Sequence, residues 1–543
     1  MFALLLIFGL LIVLSIPRVQ SSLAQRLTRS LNQDYGVAID VEKLGLNWKG
    51  VIDLRGVLIK DHHQDTLISA KSLTTNVLTL ADLKKNRWTF GQLGLEDALL
   101  KIITYPDESQ HSLDHFINQF VTPGSTQSSG NPFVLLIGRM ALANTKIQIQ
   151  DQNLASSQNL TFNRVFLSAK DFRLSGPDLT AKISSMGFDS NFGLHVAELS
   201  GDYRYGPEQM ALSNMKLITP ATTQLVADLS LSYKDGMADF ANKVYLDVDL
   251  KPESNIATSD INTWYDAFDP GGFIETQGSL HGTLNRLNWT DAVLRYKNSL
   301  LTGQVMLKNM INQAPFDLEI PDMKLSSRRD DLVDFMPKSL GTSLPATLKR
   351  LGKTTLSGAF HLKGDFLSFD GLIASSLGRF NANFELGNLD LPDYAFYSGV
   401  FETKGLRLGN LFQSDDLGFV SGRLDIKGRG FSSDKLNTSL SLNLEELQYL
   451  NYVYRNLDLT ADLIAPFQKW SWSISDPYLE TSGSLKIDQT PLQKQFGLVT
   501  SVDFADLNAL GLVKRDDIAE FSAGVTATAY GSDYDALSGT LEL

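Results

Sequence analysis

From Val37 onward, apolar and polar residues alternate with a period of two, the pattern of strands with one buried and one wet face. Clear runs are Val37-Ile39-Val41, Ile147-Ile149, Leu225-Ala227-Leu229-Leu231, Val244-Leu246-Val248-Leu250, Phe380-Ala382-Phe384-Leu386 and Leu440-Leu442-Leu444. Most end in Gly, Asn, Asp or Ser, so the pattern predicts an antiparallel meander of strands roughly five to eight residues long. Helical spacing is the exception. Val19, Leu23, Leu27 and Leu31 recur every fourth residue with Gln25, Arg26 and Arg29 between them, which predicts an amphipathic helix stopping near Gly36 and capping a sheet end. Further helical inserts are predicted over 111–120, 259–268, 330–351 (broken by Pro337 and Pro345) and 503–512.

The segment before Pro17 is apolar on every face. Phe2, Leu5, Ile7, Phe8, Leu11 and Val13 belong to a run that would rise roughly 23 Å as a helix, short of a roughly 30 Å hydrocarbon core. This suits a short membrane anchor, retained because no A-x-A-like cleavage site follows. No Lys or Arg precedes the run, whereas Arg18, Arg26 and Arg29 follow it, so a basic cytosolic tail is expected upstream of Met1.

Self-comparison adds an internal repeat. Leu356-Ser-Gly-Ala-Phe360-His-Leu362-Lys-Gly364 returns 64 residues later as Val420-Ser-Gly-Arg-Leu424-Asp-Ile426-Lys-Gly428, and 416–442 aligns without gaps on 517–543 at an offset of 101. Looser copies lie at 278–282 and 482–487. A period that drifts this much fits neither a propeller blade nor a tight solenoid coil, but does fit a growing sheet with variable turns. The last copy stops in mid-strand at Leu543, as in a fragment of a longer chain. The organisation expected is an anchor over 1–17, an N-terminal β region with its capping helix over 18–121, a linker of turn formers over 122–132, and β segments over 133–355 and 356–543.

A long sheet with one apolar face must cover that face or use it. Few helices are available to cover it. The remaining solutions are a filled sandwich, a closed barrel, or a curled sheet whose apolar concavity forms a groove. On the order of 25 to 30 strands would extend roughly 120 to 140 Å if never closed. A membrane barrel is disfavoured, since its strands run to about 9 to 11 residues with aromatic girdles. Candidate groove residues are Leu356, Phe360, Leu362, Val420, Leu424, Ile426, Leu440, Leu442, Phe521 and Val525.

Composition narrows the chemistry. A formal net charge of −13 has the wrong sign for gripping a phosphate backbone, which argues against nucleic acid as a partner. With no cysteine, thiol nucleophiles, disulfides and sulfur-ligated metals are excluded, which fits an oxidising envelope compartment. His62-His63 between Asp61 and Asp65 carries metal-ligating side chains, but sits where a hairpin should turn and is expected to be a solvated turn. His111 and His115, four apart on a predicted helix, lack the zincin glutamate and are expected on a helix surface. Trp264, Tyr265 and Phe268 are expected to pack rather than gate. Gly428-Arg-Gly430 and Gly91-Gln-Leu-Gly94 are turns without phosphate-loop spacing, and no Gly-x-Ser-x-Gly elbow occurs. No cofactor and no enzymatic activity are expected.

In its apolar N-terminal segment, the 18–34 helix followed by Gly36-Val-Ala-Ile-Asp-Val, the hairpin Ile52-Asp-Leu-Arg-Gly-Val-Leu-Ile-Lys-Asp61, Asp65-Thr-Leu-Ile-Ser-Ala-Lys-Ser-Leu73 and the recurrent Leu/Val-Ser-Gly strands, the chain resembles the AsmA-like envelope proteins. Within them it is similar to the TamB (translocation and assembly module) type of Bacteroidota. Gln64 stands where that group often has glycine. The resemblance implies a mostly β fold with an elongated curled antiparallel sheet, the β-taco groove, short helical inserts and an N-terminal membrane helix. It also implies a single-pass inner-membrane protein whose body lies in the periplasm. Such a protein would move phospholipid between inner and outer membranes, assist outer-membrane protein assembly, or both, with an outer-membrane β-barrel partner of the TamA type. The competing reading is a structural or adhesive β-sandwich array with a filled core.

Overall fold

The computed structural model describes residues 17–543 other than 47–50, 78–86, 109, 122–133, 154–158, 192, 235–238, 264–267, 269–270, 312–313, 336–345, 389–390, 392, 491–493, 515–516, 518 and 532–537. The anchor residues Phe2, Leu5, Ile7, Phe8, Leu11 and Val13, the 122–132 linker, Trp264 and Tyr265 therefore lie outside the described residues. No helix among the described residues is long and apolar enough to cross a membrane. The chain is mostly β, with 28 strands among the described residues. It divides into two compact units: 1–266 with 273–284, and 267–272 with 285–543.

The first unit opens with the helix Pro17–Tyr35. Gly36, at φ 67°, ends it by donating its N–H to the Asn32 carbonyl at 3.0 Å, a left-handed stop that glycine adopts without steric cost. The Asn32 side chain bonds both N–H and C=O of Ile39, at 2.9 and 3.0 Å, and ties the helix end to strand β1 (Ala38–Leu46). Strands β2 (Ile52–Lys60), β3 (Thr66–Val77) and β4 (Arg87–Thr104) follow in antiparallel order. Cross-strand pairing lines up Val41, Val57, Ala70 and Ala98, and the fully buried Ala24 of the helix packs on them. The helix thus caps the sheet. Its small residue meets a row of small residues, which allows close approach.

Two sequence expectations need correction here. The meander contains one parallel step, because β4 pairs in parallel with β5 (Val134–Asp151). Parallel neighbours need a long crossover, and this one carries the helix Ser112–Val121. Secondly, most strands run to between 9 and 18 residues, well beyond the expected length. Bulges explain the difference: an extra residue breaks the alternation while the strand continues. Strand length therefore no longer argues against a barrel. From β5 to Gln224–Ser232 successive strands pair antiparallel, and Tyr245–Leu250 and Asn255–Ala257 then both pair with Gln224–Ser232 on one side and Phe273–Thr283 on the other.

Among the described residues the second unit is an antiparallel succession of fifteen strands from Arg286–Tyr296 to Ser538–Glu542, each paired with its neighbours in sequence. The 330–351 insert appears as a helix Arg329–Phe335 and a 3₁₀ turn Ala346–Leu351. Of the 259–268 insert, the described part holds the helix Thr258–Ile261, and 264–267 lie outside the described residues. The expected 503–512 helix is not one: the strand Lys494–Asp506 runs into it, and a turn follows. Asp506 Oδ1 accepts the N–H groups of Asn508 and Ala509, both at about 3.0–3.1 Å, and buries Leu510 against Tyr454 and Ala505.

The Leu/Val-Ser-Gly repeat has a backbone cause. Gly201, Gly303, Gly358 and Gly422 follow Leu-Ser, Leu-Thr, Leu-Ser and Val-Ser, and all lie in mid-strand at φ between 148° and 156°, where a Cβ is strained. At Gly358 an added Cβ would lie 2.1 Å from the Asp370 carbonyl oxygen, and at Gly422 it would lie 2.3 Å from that of Asn443. The repeated motif marks where neighbouring backbones approach too closely for any side chain.

Candidate functional site

All ten candidate groove residues lie in the second unit, and the strand register puts them on one face. Directly paired residues of antiparallel strands share a face, so pairings can be followed from strand to strand. One row runs Phe360, Phe369, Phe384, Gly399, Ile426, Leu440, Ala461, Trp470, Leu485, Leu498, Ala527. A second, two residues along, runs Gly358, Gly371, Ala382, Phe401, Leu424, Leu442, Leu459, Trp472, Gly483, Thr500, Val525. Leu356 pairs with Ile373 and Leu362 with Leu367 on the same face. Val420 pairs with both Leu406 and Leu447 and is buried; Phe521 pairs with Ala505 and is exposed.

Aromatic rings and glycines interleave on this face. A Cβ on Gly399 would come within 3.2 Å of the Phe384 and Phe401 side chains, and one on Gly483 within 2.4 Å of the Trp472 ring. The glycines make room for rings from neighbouring strands, which then cover bare backbone.

The face is filled at one end and open at the other. Between Arg286 and Arg407, Ala292, Val305, Ile320, Met323, Phe369 and Ala382 form a buried cluster, with Leu356, Phe360, Phe380, Phe384 and Phe401 packed against it. Phe369 retains 2% exposure and Ala382 1%, which a flat, uncovered sheet cannot achieve, so the face is covered here. Over the next seven strands, Leu417–Arg429 to Glu520–Gly531, most of the face is only half-buried: Leu424, Ile426, Leu440, Leu442, Leu459, Trp470, Trp472, Leu485, Leu498 and Val525. No helical layer lies on these positions among the described residues; the Leu408–Phe412 helix precedes them.

The opposite face is polar. Asn381, Glu402, Arg423, Asn443 and Asp458 form a cross-strand row. The Arg423 guanidinium donates to Glu402 at 2.7 Å and to both Asp425 oxygens at 2.7 and 2.9 Å, and this holds the Asp425 carboxyl below the usual carboxylate range. A cleft of about 710 Å³ opens here, with Arg379, Glu402, Arg423 and Asp458 in its lining beside the apolar Phe380 and Leu444.

The sequence reading missed one assembly. The hairpin turn carries His62 and His63 as expected, yet both rings reach Glu108, and His115 joins them. The turn frees adjacent side chains from the opposite-face rule that holds along a strand. A second group, Asp317, Glu319 and His361, lies in the other unit, where His361 Nε2 is 3.0 Å from Asp317. Gly428 and Gly91 lie within strands, and Gly430 follows a strand end at φ 73°.

Comparison of the chain with protein-family models, with curated proteins and with solved structures returns no match.

Proposed function

We propose that the half-open apolar face between Leu417 and Gly531 holds acyl chains, and that the protein is a non-enzymatic lipid-handling groove of the AsmA-like kind. The reading extends to phospholipid movement between an inner membrane, to which the N-terminal segment would anchor it, and an outer membrane. The β-taco form of the sheet, the periplasmic setting, and a role beside an outer-membrane barrel of the TamA type belong to the same proposal.

The observation that carries it is the run of seven consecutive strands with apolar rows in register and no covering layer among the described residues. At about 4.8 Å per strand these rows extend roughly 30 Å, about twice the depth of one leaflet of a hydrocarbon core. An acyl chain lying along them gains about 0.8 kcal/mol per buried methylene. Because such contacts are non-directional, a shift by one strand replaces like with like, and sliding costs little. Headgroups would remain in water along the rim.

The filled cluster at Ala292–Phe369–Ala382 favours the second reading, a structural β array, for the first strands of this unit. A track confined to 417–531 accommodates both observations. Leu424→Arg tests it. The side chain is half-buried and carries no buried cluster, so the variant should fold, and phospholipid co-purifying with the chain, counted by mass spectrometry, should fall at least fivefold. An unchanged lipid count in the folded variant contradicts the proposal.

A further inference from the structure

In the first unit, two segments distant in sequence, the 62–63 turn and 108–115, bring three imidazoles to one carboxylate. His62 Nε2 lies 3.0 Å from Glu108 Oε2, His63 Nε2 lies 2.8 Å from Oε1, and His115 Nε2 lies 3.6 Å from Oε2. The donor atoms of His62, His63 and Glu108 all fall within 4.8 Å of one another. The rings of His62 and His115 lie 4.1 Å apart between centroids, tilted by 31°. We infer that His62, His63 and Glu108 are the ligands of a zinc-class divalent transition metal that fastens the β2–β3 turn to the segment following β4, with His115 beside them.

Donor spacing is the first argument. Donors at bonds of about 2.0–2.1 Å around a tetrahedral ion lie about 3.3 Å apart, and Glu108 Oε1 stands 3.2 Å from His62 Nε2 and 2.8 Å from His63 Nε2. Donor type is the second. Two imidazoles and one carboxylate suit zinc and its neighbours, whereas magnesium and calcium take oxygen. Three protein ligands leave one position of a tetrahedral ion for a solvent molecule.

The support behind the ligands is the third argument. Asp61, 3% exposed, accepts the backbone N–H groups of His63 and Asp65, both at 2.9 Å, and the phenol O–H of Tyr105 at 2.7 Å. Tyr105 also donates to Asp65 at 3.0 Å. Asn153 Nδ2 donates to the carbonyls of Tyr105 and Glu108, at 3.1 and 3.0 Å, and so fixes the backbone beside the carboxylate ligand. A polar frame anchored on the buried Asp61 and Tyr105, holding the backbone on both sides of a ligand set, is how metal sites are kept in shape. His63, with its side chain 46% exposed, leaves an entry path.

The test is titration of the untagged, chelator-treated full chain with Zn²⁺ alone, by calorimetry and by metal analysis after dialysis. One equivalent should bind, with Mg²⁺ giving no heat. Glu108→Gln should weaken binding at least tenfold, and His62→Ala with His63→Ala should abolish it. His63→Gln, whose ring is half exposed and packs on Tyr105, should weaken it as well, and His361→Ala in the other unit should leave it unchanged. Zn²⁺ should raise the melting temperature of the wild type and not of the His62/His63 variant. Absence of bound Zn²⁺ in the wild type, or equal binding by wild type and His63→Gln, overturns the assignment and leaves an imidazole–carboxylate cluster that holds no ion.

Discussion

Gly422 shows how one residue type decides local shape. Its φ of 156° and the 2.3 Å approach of the Asn443 carbonyl to an added Cβ leave no room for alanine. Gly422→Ala is expected to destabilise the second unit by at least about 1–3 kcal/mol in chemical denaturation. Gly497, within a strand at ordinary φ and with open space around a Cβ, should accept alanine at little cost. The sequence repeat exposed Gly358 and Gly422 as recurrent, but not the mid-strand positive φ that makes them so. On the polar face, Arg423 holds Asp425 below its ordinary value, so the pair contributes stability above the unfolded carboxylate pKa of about 3.9 and loses it as pH falls through the lower folded value. The stability gap between wild type and Arg423→Gln should therefore be present at pH 7 and closed near pH 2. The His62, His63, Glu108 and His115 assembly was illegible for another reason: the turn and Glu108 lie about 45 residues apart with β3 and β4 between them, and strand periodicity does not say which turns meet at a sheet end.

At the level of elements, the alternating pattern located the strands but not their ends, because bulges interrupt alternation without ending the strand. These bulges are built deliberately from neighbouring side chains. Where the ladder slips between Ala227 and Leu229, Asp228 Oδ1 accepts the N–H of Asn214 at 2.8 Å. The same device recurs with Asp322 on Gln304 at 2.7 Å, Asn76 on Gln92 at 2.7 Å and Ser421 on Gly405 at 3.0 Å. Each side chain takes a donor that the extra residue has removed from the ladder. Asp228→Ala should accelerate amide exchange at Asn214 about tenfold, while exchange at Met215 in the adjacent regular ladder stays near its wild-type rate. Ser421 also explains the middle position of one repeat copy, since its hydroxyl serves the bulge while the following glycine provides the close approach. The capping helix and its Gly36 stop were readable from spacing and turn chemistry alone.

Over the whole molecule, the sheet architecture follows from a chain that offers many alternating strands and few helices to cover them. The apolar face was legible as a set of residues; its division into a packed stretch and an open one was not, since Phe360 and Leu424 occupy equivalent places in their repeat copies. What separates them is the neighbourhood. Phe360 packs against the Phe369 cluster, whereas Leu424 meets Leu442 and Phe401 on a face that stays half open. The central claim is that this open face takes lipid, and photo-crosslinking in cells tests it residue by residue. Crosslinkers at Leu424, Trp472 and Val525 should capture phospholipid, while one at Phe369 in the packed cluster and one at Ser482 on the polar face should not. Protein-only adducts at all three open-face positions would contradict the account.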